Sequence, residues 1–332
     1  MDRISTFNSY NSIVNNLMGS EIQQSTLSQQ ISSGYVANNL EGFGSSAEAL
    51  TAAQNVQTRV GSFVQNSTAL SAQLDAQNQA LTQVADAGTG ARAAIANALA
   101  TGSSEGLMSS LQSYFGQAAA GLNTQYNGQY MFAGGNTSTP PVPTQNMTAL
   151  ISTPAVPPAT PWTPATWSPN PATTYNNLFT NGPTAATSQL DESTTIQTGV
   201  LASNAGGSLF NAIAQIQDFQ QSSGQPFNGQ LTTAQSAFLT SMLPTFDSAN
   251  QDITNTVADN GLNQAQVSQS LTTQQDRQTT LQSMISGITD VNVAQASSQL
   301  AQVQTAIQAS AKVFSSLQTY SLLNFLTQPS AG

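Results

Sequence analysis

Cysteine and histidine are both absent from the 332-residue sequence. Their absence excludes disulfides, thiolate nucleophiles and histidine general bases, and it excludes nearly every ordinary zinc site. The adjacent carboxylates Asp191 and Glu192 would point to opposite faces of a strand, so we interpret them as part of a solvated turn rather than an acid–base pair. We therefore expect no enzyme activity, no catalytic residue, no metal and no cofactor.

Charge is scarce as well. Charged residues make up 6% of the chain, with 5 basic and 15 acidic residues and a formal net charge of −10. The basic residues are scattered rather than grouped in a stripe, so we expect neither nucleic acid nor an anionic membrane surface as a partner. Amides and hydroxyls must solvate the surface instead, and a surface of this kind packs readily against copies of itself.

Long hydrophobic runs are also missing. No run approaches the roughly 18 apolar residues that a membrane-spanning helix needs. The first residues, Met1 to Phe7, lack the apolar stretch of a secretory signal peptide. If the protein is exported, we expect it to leave by a route that reads no cleaved signal.

Proline is rare outside one segment of the chain. Eleven of the 14 prolines lie between Pro140 and Pro183, together with Trp162 and Trp167. Proline fixes φ and removes a backbone donor, so no long helix can run through this segment. We expect an irregular insert with short strands, and the alternation at residues 195–200 indicates one of them.

Both flanks of the insert show the heptad spacing that is typical of coiled-coil helices. In the first flank the spacing runs through Val56, Val60, Phe63, Ser67, Leu70, Leu74, Gln77, Leu81 and Val84. A shorter stretch follows, with Leu107, Leu111, Tyr114, Ala118 and Leu122. In the second flank two segments repeat the pattern: Phe238, Met242, Phe246, Ala249 and Ile253, then Val267, Leu271, Gln274, Gln278, Leu281, Ile285 and Ile288.

The placement of these stripes predicts the fold, although a single stripe would also fit an ordinary helix bundle. We expect a mainly α protein with long antiparallel helices, coiled-coil pairing of the N- and C-terminal ends, and a small irregular or β insert domain. Residues 1–40 and 289–332 would form a terminal coiled-coil layer. Residues 41–135 and 205–288 would form a helical core layer, and residues 136–204 a proline-rich outer insert.

The two chain ends are the expected subunit interface. Only Asp290 and Lys312 are charged from Gln278 to Gly332, and a terminus this apolar needs a partner. The interface residues that we predict are Ile13, Leu17, Leu27, Ile31, Leu300, Val303, Ile307, Phe314, Leu317, Leu322, Leu323 and Phe325.

Four short segments resemble motifs of the bacterial flagellin superfamily. Residues 27–34 resemble its N-terminal motif, in which a helix ends at Ser-Ser-Gly, and residues 290–294 resemble its turn into the last helix. Residues 127–134 and 321–326 are similar to the turn and the closing motif of the hook-associated branch. The residues of the motif turn are Asn127, Gly128, Tyr130, Phe132 and Gly134.

The resemblance covers residues 1–135 and 205–328, and the insert shows none. It departs from the family where Tyr35-Val36 replaces a basic pair and where residues 40–44 replace an Asp-Pro turn. The resemblance implies a structural subunit of the extracellular flagellum that joins hook to filament after type III export. Its partners would be copies of itself, a neighbouring hook-associated protein, flagellin and an export chaperone. Flagellin itself remains the alternative, and a type III secretion tip or translocator-like protein is a distant one.

Overall fold

The computed structural model describes residues 2–150, 178–223 and 225–326, with side chains from residue 11 to residue 316 within those ranges except at 222. The middle of the predicted insert, with Trp162 and Trp167, lies outside the described residues. The same is true of the side chains of Leu317, Leu322, Leu323 and Phe325.

Long helices dominate the described chain, which confirms the mainly α prediction. The six α-helices are α1 (Asp2–Ser33), α2 (Ala47–Thr101), α3 (Leu107–Leu122), α4 (Ala202–Ser222), α5 (Thr233–Thr289) and α6 (Val293–Leu326). Short 3-10 helices span Leu40–Ser46 and Met147–Leu150. The described strands are β1 (Gln125–Tyr126), β2 (Gln129–Tyr130), β3 (Thr187–Gln189) and β4 (Thr195–Gln197). They form two antiparallel pairs, β1 with β2 and β3 with β4, so the strand expected at residues 195–200 is present as β4.

Contacts divide the chain into two compact units. The terminal unit comprises Met1–Arg59 and Asp276–Gly332, and the central unit comprises Val60–Gln275. Helices α2 and α5 each contribute residues to both units. The division into three layers that the sequence predicts stays a prediction.

Helices α2 and α5 pack side by side in the central unit, and they run antiparallel. Gln77 on α2 meets Asn260 on α5, whereas Arg92, further along α2, meets Asp247, which is earlier on α5. Nearly every predicted heptad position in this unit is buried because the seam faces the partner helix. The buried positions on α2 and α5 are Val60, Ser67, Leu70, Leu74, Gln77, Leu81, Val84, Phe238, Met242, Phe246, Ala249, Ile253, Val267 and Gln274.

Helices α3 and α4 complete the main core of the central unit. The rings of Phe115 on α3 and Phe210 on α4 lie 4.7 Å apart between centroids, and both side chains are fully buried. Phe219 on α4 stacks on Phe238 of α5 at 4.1 Å. Aromatic pairs of this kind add to the stabilisation that burial alone provides. The core therefore rests on four helices rather than on the α2–α5 pair alone.

The β3–β4 hairpin lies over the α2–α5 pair and both of its outer edges are capped by helix side chains. Asn66 on α2 donates a hydrogen bond to the Gln189 carbonyl at 3.0 Å, and Asn263 on α5 donates one to the Gln197 carbonyl at 2.9 Å. Each bond occupies one edge carbonyl that a strand of another chain could otherwise use. The hairpin also contributes to a small apolar cluster made of Leu70, Leu74, Leu190, Ile196 and Val267.

The turn of this hairpin is built on Asp191, in agreement with the interpretation of this residue as part of a turn. Its Oδ1 accepts hydrogen bonds from the backbone N–H groups of Ser193 and Thr194, both at 2.7 Å, and its Oδ2 accepts one from the Thr194 hydroxyl at 2.9 Å. The hydrogen bond from the Ser193 N–H is the main reason that the pKa of Asp191 lies below its usual value.

We expect an Asp191→Asn variant to melt a few degrees lower than the unsubstituted protein at pH 7. Because the folded pKa is lowered, the stabilisation is present above the unfolded pKa of about 3.9 and is lost as pH falls through the folded value. The difference in Tm between the two proteins should therefore shrink between pH 5 and pH 2. Thermal melts across this pH range test the prediction. The control is Asp86→Asn, which replaces an exposed aspartate of α2. A difference that is constant with pH would contradict the prediction.

Candidate assembly surface

Helices α1 and α6 form the core of the terminal unit. Leu27 of α1 and Val303 of α6 are 5% and 9% exposed, and Ala296 completes the buried centre. The half-buried side chains that pack against this centre are Ile31, Val291, Leu300 and Ile307. An apolar seam on each helix therefore pairs the N-terminal and C-terminal segments within one chain.

The seam accounts for five of the predicted interface residues, which the structure brings together as Leu27, Ile31, Leu300, Val303 and Ile307. Ile13 and Leu17 on α1 and Phe314 on α6 are half-buried. The seam residues contact one another inside the chain, so their role at a subunit interface stays a prediction.

The connector after α1 is tied to the end of α5 and to the connector before α6 by two backbone hydrogen bonds. The Val36 N–H donates to the Thr289 carbonyl at 2.7 Å, and the Val291 N–H donates to the Gly34 carbonyl at 2.9 Å. Gly34 has a φ of 78°, a left-handed conformation that glycine adopts readily at the end of a helix. This pair of bonds joins the adjoining ends of α1 and α6 in an antiparallel arrangement.

The start of α6 is fixed by a side-chain cap. The Asn292 Oδ1 accepts a hydrogen bond from the Gln295 N–H at 3.1 Å, which satisfies one of the free donors of the first helical turn. The resemblance of residues 290–294 to a turn into the last helix thus corresponds to a capped helix start.

A second apolar face lies on α1, and the heptad pattern does not predict it. Ile22 is 67% exposed and Met18 is 56% exposed. At 100° per residue, Met18 lies half a turn around the helix from Leu27, and Ile22 lies half a turn from Ile31. We call Met18 and Ile22 the outer face of α1. The spacing of four residues between Met18 and Ile22 is itself a helical signal, but a heptad pattern that contains Leu27 and Ile31 does not include them.

Exposed large apolar side chains are concentrated in the terminal unit. Among the described residues, seven of the eight belong to it, while Leu262 belongs to the central unit. The seven are Met18, Ile22, Tyr35, Leu40, Met284, Val293 and Val313. Grouped exposed apolar residues in a protein of this kind mark an interaction site more often than scattered ones do.

Charge is scarce on α6 and on α1 after Asp2 and Arg3, and these two helices carry four of the seven exposed residues. Between residues 11 and 33 the single charged residue is Glu21, and between 293 and 316 it is Lys312. Two copies of a chain with net charge −10 can approach through such a surface without strong repulsion. The surface is therefore suited to contact with a like-charged neighbour.

The predicted motif turn forms the β1–β2 hairpin in the central unit. Asn127 and Gly128 have φ values of 50° and 76°, which match the type I′ turn that Asn-Gly favours in two-residue hairpins. In the strands, Tyr130 pairs with Gln125 and Gln129 pairs with Tyr126. The sequence signal and the local structure agree at this turn.

The rest of the motif anchors the hairpin to α4. Phe132 is fully buried, and its carbonyl accepts a hydrogen bond from the Ala202 N–H at 2.9 Å in the first turn of α4. Gly134 has a φ of 59°, and a Cβ there would lie 2.8 Å from the Gly182 carbonyl oxygen and from Leu201 Cδ2. Glycine is therefore required at 134 both for its conformation and for the space.

The part of the chain that the structure describes shows neither a metal-binding cluster nor a membrane-spanning helix. Over the described ranges, no three His, Cys, Asp or Glu side chains come together as a metal ion would need. None of the helices in the part of the chain that the structure describes is long and apolar enough to cross a bilayer.

Comparison with known families gives two matches. Residues 4–137 match the family model for the bacterial flagellin N-terminal helical region. Residues 243–326 match the model for the bacterial flagellin C-terminal helical region. Together these two matches cover α1 to α3, most of α5 and all of α6.

Two of the solved structures that match this chain come from Vibrio parahaemolyticus and Bacillus cereus. A protein described as a flagellar hook-associated protein of Vibrio parahaemolyticus superposes with a TM-score of 0.54 at 12% identity, covering 74% of this chain and 97% of its own. FlgL of Bacillus cereus gives a TM-score of 0.48 at 13% identity, covering 71% of this chain and 98% of its own. The comparison with curated proteins finds no match.

Proposed function

The chain belongs to the bacterial flagellin family, and on that premise we propose that it is the subunit that joins the flagellar hook to the filament. Membership makes it a flagellar structural protein that lies outside the cell and assembles with other flagellar proteins in a polymer. The family is structural rather than enzymatic, which confirms the prediction that this protein is not an enzyme.

The observation that carries the choice of branch is the turn at residues 127–134. Its Asn-Gly hairpin, buried Phe132 and constrained Gly134 realise the motif that resembles the hook-associated branch. The closing segment at residues 321–326 supports the same choice through its sequence. The fold similarity to a protein described as hook-associated agrees with it.

Assembly would use the terminal unit in two ways. The seam around Leu27 and Val303 holds α1 against α6, and the outer face with Met18 and Ile22 stays available for a neighbouring subunit. The apolar segment with Leu322, Leu323 and Phe325 remains a predicted contact of the same unit. Lateral copies would form a ring, and the neighbours along the axis would be a hook-associated protein on one side and flagellin on the other.

Export would precede assembly. We propose that the chain leaves through the flagellar type III channel as an unfolded polypeptide, with a chaperone that protects its apolar ends. The lack of cysteine suits this route, because no thiol can be oxidised during passage between redox compartments.

The experiment that tests the proposal is polymerisation of the purified protein alone and with flagellin, followed by light scattering and electron microscopy. We expect short assemblies at most from the protein alone. We expect it to cap isolated hooks and to let added flagellin grow from them. Hooks without the protein provide the control.

Two other outcomes would replace the proposal. Long helical filaments from the protein alone would make it a flagellin. Binding to liposomes without binding to hooks would favour the tip or translocator alternative.

A further inference from the structure

Helices α2 and α5 have few charges with which to select their alignment. Charged pairs at the edges of a seam commonly set the register of a coiled coil. Here the 55 residues of α2 include two basic residues, Arg59 and Arg92, and the 57 residues of α5 include one, Arg277. Most of the two helices instead repeats alanine, leucine, serine, threonine and glutamine, so heptads shifted by seven residues would look alike.

A buried amide pair lies at the middle of this seam. Gln77 of α2 and Asn260 of α5 are both 0% exposed. The Gln77 Nε2 donates to Asn260 Oδ1 at 3.1 Å, and the Asn260 Nδ2 donates to the Leu74 carbonyl at 3.1 Å. Each amide therefore bonds to the other helix, and the Asn260 Nδ2 also lies 3.5 Å from the Asn78 Oδ1 of α2.

Gln77 also bonds to the segment that directly follows the β3–β4 hairpin. Its Nε2 donates a second hydrogen bond to the Thr198 carbonyl at 3.3 Å, just after β4. One side chain thus contacts α5 and the hairpin at the same time. A slip of α5 by one heptad would move its residues by about 10 Å along α2 and would remove the bond between the two side chains.

The buried amide pair lowers the stability of the fold, so a gain in stability does not explain its presence at the seam. The Gln77 Oε1 is buried without a hydrogen-bond partner among the described residues. A buried polar atom without a partner destabilises the fold, whereas leucine at the same seam position would not. A polar residue at one seam position is known to select register in coiled coils at a cost in stability.

We infer that the Gln77–Asn260 pair selects the register of the central unit, so that α2, α5 and the β3–β4 hairpin adopt a single alignment. At the buried seam the amides add to the selection that the exposed Arg92–Asp247 ion pair makes between the same two helices. The inference does not depend on whether the protein is a junction subunit or a flagellin, because it concerns the alignment of helices within one chain.

The test compares a double variant, Gln77→Leu with Asn260→Leu, with the unsubstituted protein. Spin labels on Thr68→Cys of α2 and Thr254→Cys of α5 report the alignment, since both positions are exposed and the chain has no other cysteine. We expect one narrow label distance in the unsubstituted protein. In the double variant we expect an equal or higher Tm and an additional distance shifted by up to about 10 Å.

Two matched variants separate register from stability. Gln274→Leu removes another buried amide of the seam, whose Oε1 has no partner among the described residues, and it should raise Tm without a second distance. The exchanged pair, Gln77→Asn with Asn260→Gln, keeps an amide on each helix and should keep most of the population at one distance.

Two results would overturn the inference. A single unshifted distance in the double leucine variant would show that the apolar seam selects the register without the amides. A lower Tm or loss of folding in that variant would show that the pair contributes stability rather than alignment.

Discussion

Replacing Ile22 with aspartate is expected to abolish incorporation into the flagellum while leaving the folded chain intact. Ile22 is 67% exposed on the outer face of α1, half a turn from the seam. A charge at an exposed helix position changes the free energy of unfolding by about 0.5 kcal/mol or less. At a subunit interface the same charge would be buried without a partner, which costs several kcal/mol for every copy.

The measurement pairs a thermal melt of the purified variant with electron microscopy of hooks mixed with the variant and flagellin. Gln23→Asp is the matched control, because it places the same charge on the next residue, which is also exposed but polar. We expect Ile22→Asp to match the control in Tm and to fail where the control assembles. If hooks that were mixed with Ile22→Asp and flagellin grow normal filaments, the outer face of α1 is not part of the proposed interface.

The central helices could be predicted from the sequence because their signal is local and repeats. A heptad position such as Leu74 or Ile253 is buried for the same reason at every turn, so spacing alone identifies it. The heptad spacing places Ser67 and Gln77 at the seam, although polar side chains argue against burial. Both are fully buried. The Asn127-Gly128 turn belongs to the same class, since two residues determine its conformation.

Contacts between distant segments could not be predicted in this way. The bonds from Asn66 to the hairpin and from Gln77 to Asn260 join residues more than 100 positions apart, and no local pattern encodes them. The outer face of α1 was missed for a different reason. Heptad counting assigns one apolar face to each helix, and Met18 and Ile22 occupy a second face that one chain alone leaves exposed.

The scarcity of charge connects these features. In the central unit, amides cap the hairpin edges and pair across the seam, where charged side chains would be costly to bury. In the terminal unit, the same scarcity leaves Met18 and Ile22 exposed with Glu21 as the single charged residue between positions 11 and 33. On the proposed export route, a chain that passes unfolded through a channel and then packs against copies of itself would benefit from both.

A charge at Val303 is expected to prevent assembly by a different route, through the fold of the terminal unit. Val303 is 9% exposed and packs in the seam with Leu27 and Ala296. Aspartate there would bury a charge without a partner and cost about 3–5 kcal/mol. We expect Val303→Asp to lose the helix pairing of α1 with α6 and to fail to restore filaments in a deletion strain. Its export should continue, because the chain is unfolded on the proposed export route.

The two substitutions are separated by their effect on the isolated protein. Circular dichroism and protease sensitivity of the chain ends should change for Val303→Asp and stay unchanged for Ile22→Asp, although both variants fail to assemble. Gln304→Asp, at the neighbouring exposed position of α6, is the control for charge on that helix. If Val303→Asp supports normal filaments, the seam is not needed for assembly. If it blocks export as well, the chain ends act before assembly, as a chaperone site would.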